Sequence, residues 1–286
     1  MKKLLLSVAL AGIMVTSSVA ADAKTNKVSS NAVTKAEQKA QNTELIKEAV
    51  RAIKYTQDAL LYLANKKVDK AKETLKKAVG ELAVVLNSPN PAYLLPVDIQ
   101  IEAYEFSGDV KKIDTLKKEA KTLLLSNKIP EARNILNTLR SEIVIKTINL
   151  PLATYPAVLN LAIKYINENK IKESKEVLTM ALSTLVEIDN IIPIPLIKAQ
   201  ALIEEASKTK DKKQDIKYLQ EAKNQLITAE ALGYTSKSSI TYKMLKDKIE
   251  KIEKEIKKGK NTGSLFNELI QKIKDFKEKA INIIHQ

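Results

Sequence analysis

From Leu45 onward the apolar residues return every three or four positions. Leu45/Ile46, Ala49/Val50, Ile53, Leu60 and Leu63/Ala64 fall on one face, while Lys47, Arg51, Lys54 and Asp58 lie off it, a pattern that predicts an amphipathic helix. The polar stretch "ANKKVD" interrupts the pattern. A second helix follows with Ala71, Leu75, Ala78/Val79, Leu82 and Val85/Leu86 on its apolar side. It stops in "NSPNP", where Pro89 and Pro91 remove backbone donors and forbid continuation. Two such helices joined by a short turn make a hairpin.

The hairpin recurs. "NKKVDKAKETL" (65–75), "NKIPEARNIL" (127–136) and "NKIKESKEVL" (169–178) each set an Asn-Lys turn before an aliphatic residue, then a small residue, then Leu. The small residue (Ala71, Ala132, Ser174) allows two helix backbones to approach where they cross, and the Leu fills the seam. Similarity also runs at longer range. Residues 68–82 resemble 171–185, "LPVDIQIEA" (95–103) lies over "IPIPLIKAQ" (192–200), and "IPEARNIL" (129–136) lies over "LQEAKNQL" (219–226). The predicted fold is therefore all-α: antiparallel helix hairpins stacked as an internally duplicated helical-repeat domain, TPR-like or bundle-like. Its halves are 44–149 and 152–233 within a domain over 43–235. The join "SEIVIKTINLPLATYP" (141–156) is β-branched and is either a short extended segment or the tail of a buried helix.

Residues 236–286 form a C-terminal extension. Tyr242, Leu245, Ile249, Ile252 and Ile256 make one narrow apolar stripe. After the turn "GKNTG", Leu265/Phe266, Leu269/Ile270, Ile273, Phe276 and Ile281/Ile284 make another. Two amphipathic helices that close the stack are the preferred reading; an arm that lies on a membrane or pairs with a sister subunit is the alternative. At the other end, "MKKLLLSVALAGIMVTSSVA" has two lysines, an apolar run too short to span a bilayer, and a small-x-small ending. It reads as a signal peptide over 1–20, cleaved after Ala20 or Ala23, so that the mature chain is exported. Residues 21–42 read as a flexible polar segment that becomes helical near Thr34.

Charge and inventory narrow the chemistry. The chain is basic, at +14, or +12 once Lys2 and Lys3 leave with the signal. Lysines alternate with glutamates along helix faces, so a solvated surface is expected and nucleic acid is not; peripheral contact with an anionic membrane and homo-oligomers remain open. No cysteine is present, and the single histidine, His285, sits next to the last residue, where it is expected to be solvated and frayed. Zinc sites of the common kinds and the Ser-His-Asp and Cys-His arrangements are therefore excluded, and "GKNTG" lacks the spacing of a phosphate loop. Asp98, Glu102 and Glu105, at i, i+4 and i+7, would share a helix face beside Tyr104 as a carboxylate row able to bind a metal or shuttle protons. An ordinary polar face is the preferred reading of them, and no enzyme activity, cofactor or metal is expected. With one terminal histidine, any response to acid must run on carboxylates, which titrate near pH 4 unless perturbed.

Three proline-centred phrases carry a resemblance. "YLLPVDIQIEAYEFSGD" (93–109), "TINLPLATYPAVLNLAIKYI" (147–166) and "EIDNIIPIPLIKAQALIEEA" (187–206) resemble the YfdX family of exported bacterial proteins over about residues 40–235. The resemblance implies a helical periplasmic protein tied to envelope stress, acid resistance and altered antibiotic susceptibility, with no catalytic residues to carry over. The expected function is non-enzymatic binding of a small amphipathic ligand or of apolar segments of a client protein. Tyr93, Pro96, Asp98, Glu102, Tyr155, Pro156, Pro193 and Pro195 are the candidate ligand-binding residues. The alternative is an oligomeric scaffold whose basic C-terminal helices contact membrane or sister subunits.

Overall fold

The computed structural model describes residues 23–41, 44–236, 238–278 and 282–285; the segment read as a signal peptide lies outside them. The chain runs α1 (Ala23–Gln41), α2 (Lys47–Ala64), α3 (Val68–Leu86), β1 (Leu94–Tyr104), α4 (Val110–Leu125), α5 (Ile129–Thr138), β2 (Glu142–Pro151), α6 (Tyr155–Asn167), α7 (Ile171–Ser183) and β3 (Val186–Pro193). It continues through α8 (Ile194–Ala206), α9 (Lys212–Leu232), α10 (Ile240–Lys257), α11 (Gly263–Glu278) and β4 (Asn282–His285). Helix dominates, as the periodicity predicts. The helix expected from Thr34 already begins at Ala23.

The all-α expectation needs one correction: a four-stranded sheet in the order β1-β2-β3-β4. Residues 95–103, expected to be helical, are strand. Leu95, Val97 and Ile99 are buried while Asp98 and Gln100 face solvent, an alternation with period two that β-branched residues favour. The segment aligned with it, 192–200, is instead the end of β3 and the first turns of α8, with Pro195 in the opening turn where its missing N–H costs nothing. The join between the halves resolves to the extended alternative, as β2. β4 runs antiparallel to β3, with Glu187 opposite His285 and Asn190 opposite Asn282, so the backbone of His285 is paired and not frayed.

The chain forms two compact units. The first comprises Met1–Ala40, Ile101–Val144 and Ile191–Ile281; the second comprises Gln41–Gln100, Ile145–Asn190 and Asn282–Gln286. In the second unit α2 packs on α3, α3 on α6, α6 on α7, and α7 back on α2, a closed ring of four helices. Leu63, Leu75, Leu82, Leu159 and Leu178 fill it, capped by Leu95, Val97 and Leu150 from the strands. The small residues at the crossings, Ala71 and Ser174, are fully buried. The Ser174 hydroxyl donates to the carbonyl of Ala162 (3.0 Å), so the polar atom is satisfied at close approach.

In the first unit α8 pairs with α9 and α4 with α5, and α4 also touches α9. α10 packs on α9 and α11 on α8. All five residues of the first C-terminal stripe are buried there, as are Phe266, Leu269 and Ile273. These apolar faces therefore serve the unit's own core. Among the described residues no helix is long and apolar enough to cross a membrane.

Three hairpin turns are built alike. Lys66, Asn127 and Asn169 take the left-handed conformation, at φ of 60°, 57° and 58°. The next residue's N–H then returns to the helix: Lys67 to Tyr62 (2.8 Å), Lys128 to Leu123 (2.9 Å) and Lys170 to Tyr165 (2.8 Å). This closes carbonyls that the helix end leaves without partners. The first turn is thus centred on Lys66, one residue later than its Asn-Lys pair suggests.

Candidate functional site

The densest polar arrangement lies in the first unit, where β1 ends, β2 begins and α9 has just closed. β1 and β2 present Tyr104 and Glu142, and Gly233, at φ 94°, ends α9 so that Tyr234 turns inward. The Arg140 guanidinium stacks on the Tyr104 ring, 3.6 Å from its centroid, and its Nε donates to Glu142 Oε1 (2.7 Å). The Tyr234 hydroxyl donates to Glu142 Oε2 (2.8 Å) and accepts from the Ser141 N–H (2.9 Å). The Tyr104 hydroxyl donates to Glu102 (2.7 Å). Burial, aided by the Glu142 carboxylate, pushes the Tyr234 phenol above its ordinary value. Glu142 is buried with both oxygens engaged, which makes the cluster a fastener between strand ends and α9.

The carboxylate row dissolves, because residues 98 and 102 stand on a strand and Glu105 lies beyond its end. Asp98 is exposed and accepts from the Ile99 N–H (2.9 Å). Glu102 holds Tyr104, and Glu105 pairs with Lys198. Among the described residues no three Asp, Glu, His or Cys side chains are grouped as metal ligands.

The other sequence-predicted residues divide between the units. In the second unit Tyr93 is 85 % exposed and its carbonyl accepts from the Leu152 N–H (2.9 Å). Pro96 is half-buried and its carbonyl accepts from the Ile46 N–H (2.9 Å), which fastens β1 to the start of α2. Tyr155 is completely buried in the four-helix core beside Thr56, and burial pushes its phenol up to about 12. Pro156 is half-buried in the first turn of α6. Pro193 and Pro195, in the first unit, are buried at the start of α8. These prolines set where helices begin.

A concave surface among the described residues lies elsewhere. In the second unit an open groove of about 610 Å³ is lined by Leu60 of α2 and by Lys172, Lys175, Glu176, Thr179, Met180 and Ser183 along α7. Leu60 and Met180 supply its apolar floor, Met180 being half exposed. Lys172 faces Glu176 at 3.7 Å, while Lys175 has no ion pair among the described residues. Period alone places Leu60 on the buried side of α2; the sequence signal for the groove is Met180, an apolar residue beside the buried Ala181 in α7.

The protein is mostly helical, with helix hairpins and a small sheet. Residues 52–191, just under half of the chain, match the family model described as YfdX protein. The match begins inside α2 and ends inside β3, narrower than the 40–235 that the resemblance suggested. Among solved structures the chain is similar to one of Salmonella Typhi YfdX, at 14% identity and a TM-score of 0.38, covering 54% of this chain and 96% of that one. A comparison with curated proteins returns no match.

Proposed function

We propose that this protein acts by binding and not by catalysis, supporting envelope-stress tolerance in the periplasm by holding small amphipathic molecules or apolar protein segments. The observation that carries the reading is the α2–α7 groove. Its size lies within the range of about 300–1,000 Å³ usual for small-molecule sites. Leu60 and Met180 would take the apolar part of a ligand, and Met adapts to varied shapes. Lys175, unpaired among the described residues, would take an anionic head. The twice-run order of helix pair, strand and helix pair supports reading the chain as an internal duplication. The groove is built from α2 of one half and α7 of the other.

The test is titration with an anionic anilinonaphthalene sulfonate dye. The chain contains no tryptophan, so the dye signal is free of interference from indole. Met180→Glu and Lys175→Glu should each weaken binding by about tenfold, equivalent to about 1.4 kcal/mol. Equal affinity in both variants and the unmodified protein would refute the groove as the site.

A further inference from the structure

The α4–α5 hairpin has the same turn as the α2–α3 and α6–α7 hairpins but leaves bare what they cover. Aligned on the left-handed residues Lys66, Asn127 and Asn169, Leu124 stands where the others have Leu63 and Ile166. Those two are 2 % and 6 % exposed, whereas Leu124 is 49 % exposed. Leu125 stands where the others have Ala64 and Asn167, and it is 81 % exposed. Ile129, across the turn, is 49 % exposed, while its equivalents Val68 and Ile171 are half-buried against the core. Down α5, Leu136 is 45 % exposed where Leu75 and Leu178 are fully buried. Exposing three large aliphatic side chains around one turn costs burial that the sister hairpins obtain.

The surrounding charge says what kind of surface suits this tip. From Val110 to Thr138 the hairpin has seven basic side chains against three acidic ones. Lys118, Lys121, Lys128 and Arg133 are exposed and make no ion pair among the described residues. A convex turn offers no groove for a peptide helix. A second copy of the same hairpin would bring like charges together.

We propose that the tip of the α4–α5 hairpin inserts into the interface of an anionic phospholipid bilayer. Leu124, Leu125 and Ile129 enter the boundary between head groups and acyl chains, and Lys118, Lys121, Lys128 and Arg133 bind head-group phosphates. The contact is peripheral and reversible, since three aliphatic residues anchor weakly without the charge. It is independent of the α2–α7 groove.

The experiment is sedimentation of the full chain with vesicles of phosphatidylglycerol mixed with phosphatidylcholine, against vesicles of phosphatidylcholine alone. Partition to the anionic vesicles only is expected. Each of Lys118→Glu, Lys121→Glu and Lys128→Glu should reduce it by about fivefold or more, and Leu124→Ser with Leu125→Ser by about tenfold. These side chains are exposed, so circular dichroism should be unchanged. As a second readout, Leu125→Trp introduces a lone indole whose emission should shift to the blue with anionic vesicles, while Leu61→Trp on α2 should not shift. Met180→Glu should leave partition unchanged, so loss of dye binding and loss of lipid binding are separable. The proposal is overturned if the double serine variant partitions normally or if the indole at position 125 stays in water. It is also overturned if light scattering shows a dimer that the serine pair dissociates while neither protein binds vesicles.

Discussion

Asp215 stands in the first turn of α9, only 8 % exposed, with Oδ1 lacking a hydrogen-bond partner. Burial, with the nearby Asp211 carboxylate as a second cause, raises its pKa from 3.8 to about 6. The folded state therefore holds this proton more tightly than the unfolded chain does. Its contribution to stability is whole below about pH 4, declines as pH rises through about 6, and is absent above that. Each tenfold in proton affinity is worth about 1.4 kcal/mol, so the ionised carboxylate costs the fold about 3 kcal/mol at neutral pH. Asp215→Asn removes that cost but forfeits a favourable charge at a helix start, worth about 0.3–1 kcal/mol. The variant should be more stable by about 2 kcal/mol at pH 7.5, or about 4–8 °C in Tm. Near pH 4 the gain should vanish, because both proteins are then neutral at this position. Thermal unfolding followed at 222 nm across this range measures the difference. A gain that is the same at both ends, or a loss at pH 7.5, would refute the reasoning. Glu37 and Glu253 are also raised by burial and act in the same direction. Buried carboxylates thus give the described residues a response to mild acid.

Three further outcomes are expected. Tyr155→Phe should be neutral or stabilise by up to about 1 kcal/mol in urea unfolding, since the buried hydroxyl makes no hydrogen bond by geometry and its removal ends a desolvation cost. Lys66→Gly should stabilise by about 1 kcal/mol, because φ of 60° strains a residue with a Cβ, whereas the same change at Asn169 should gain less, as Asn tolerates this region. Tyr234→Phe should cost about 1–3 kcal/mol by leaving the buried Glu142 Oε2 without its donor; Glu142→Gln should recover part of that loss in a double-variant cycle.

The hairpins were legible because a helix records its buried side in its own sequence. Leu63, Leu75, Leu82, Leu245 and Ile252 all lie where the 3.6-residue period puts them, and all are buried. The strands were less legible. Leu95, Val97 and Ile99 alternate plainly, yet a carboxylate spacing of four fits a helix face as well, and β1 takes its ladder hydrogen bonds from β2, two helices further along the chain. The candidate site residues shared a phrase type, proline beside an aromatic or apolar residue, and that phrase marks helix starts and strand ends. The groove that offers concavity draws Leu60 and Met180 from helices whose adjacency no local pattern encodes.

By itself the sequence determined the helix pairs, the polar turns that join them, the small residues at crossings and the lysine-rich surface, since each follows from period, side-chain size or charge within a few residues. Tertiary structure alone decided that α2–α3 closes a ring with α6–α7, that Tyr104, Arg140, Glu142 and Tyr234 meet, and that Leu63 is covered while Leu124 is bare. The physical reason is that burial is a property of a pair of surfaces: an amphipathic pattern says which side of an element seeks cover, and only the packed chain supplies the partner.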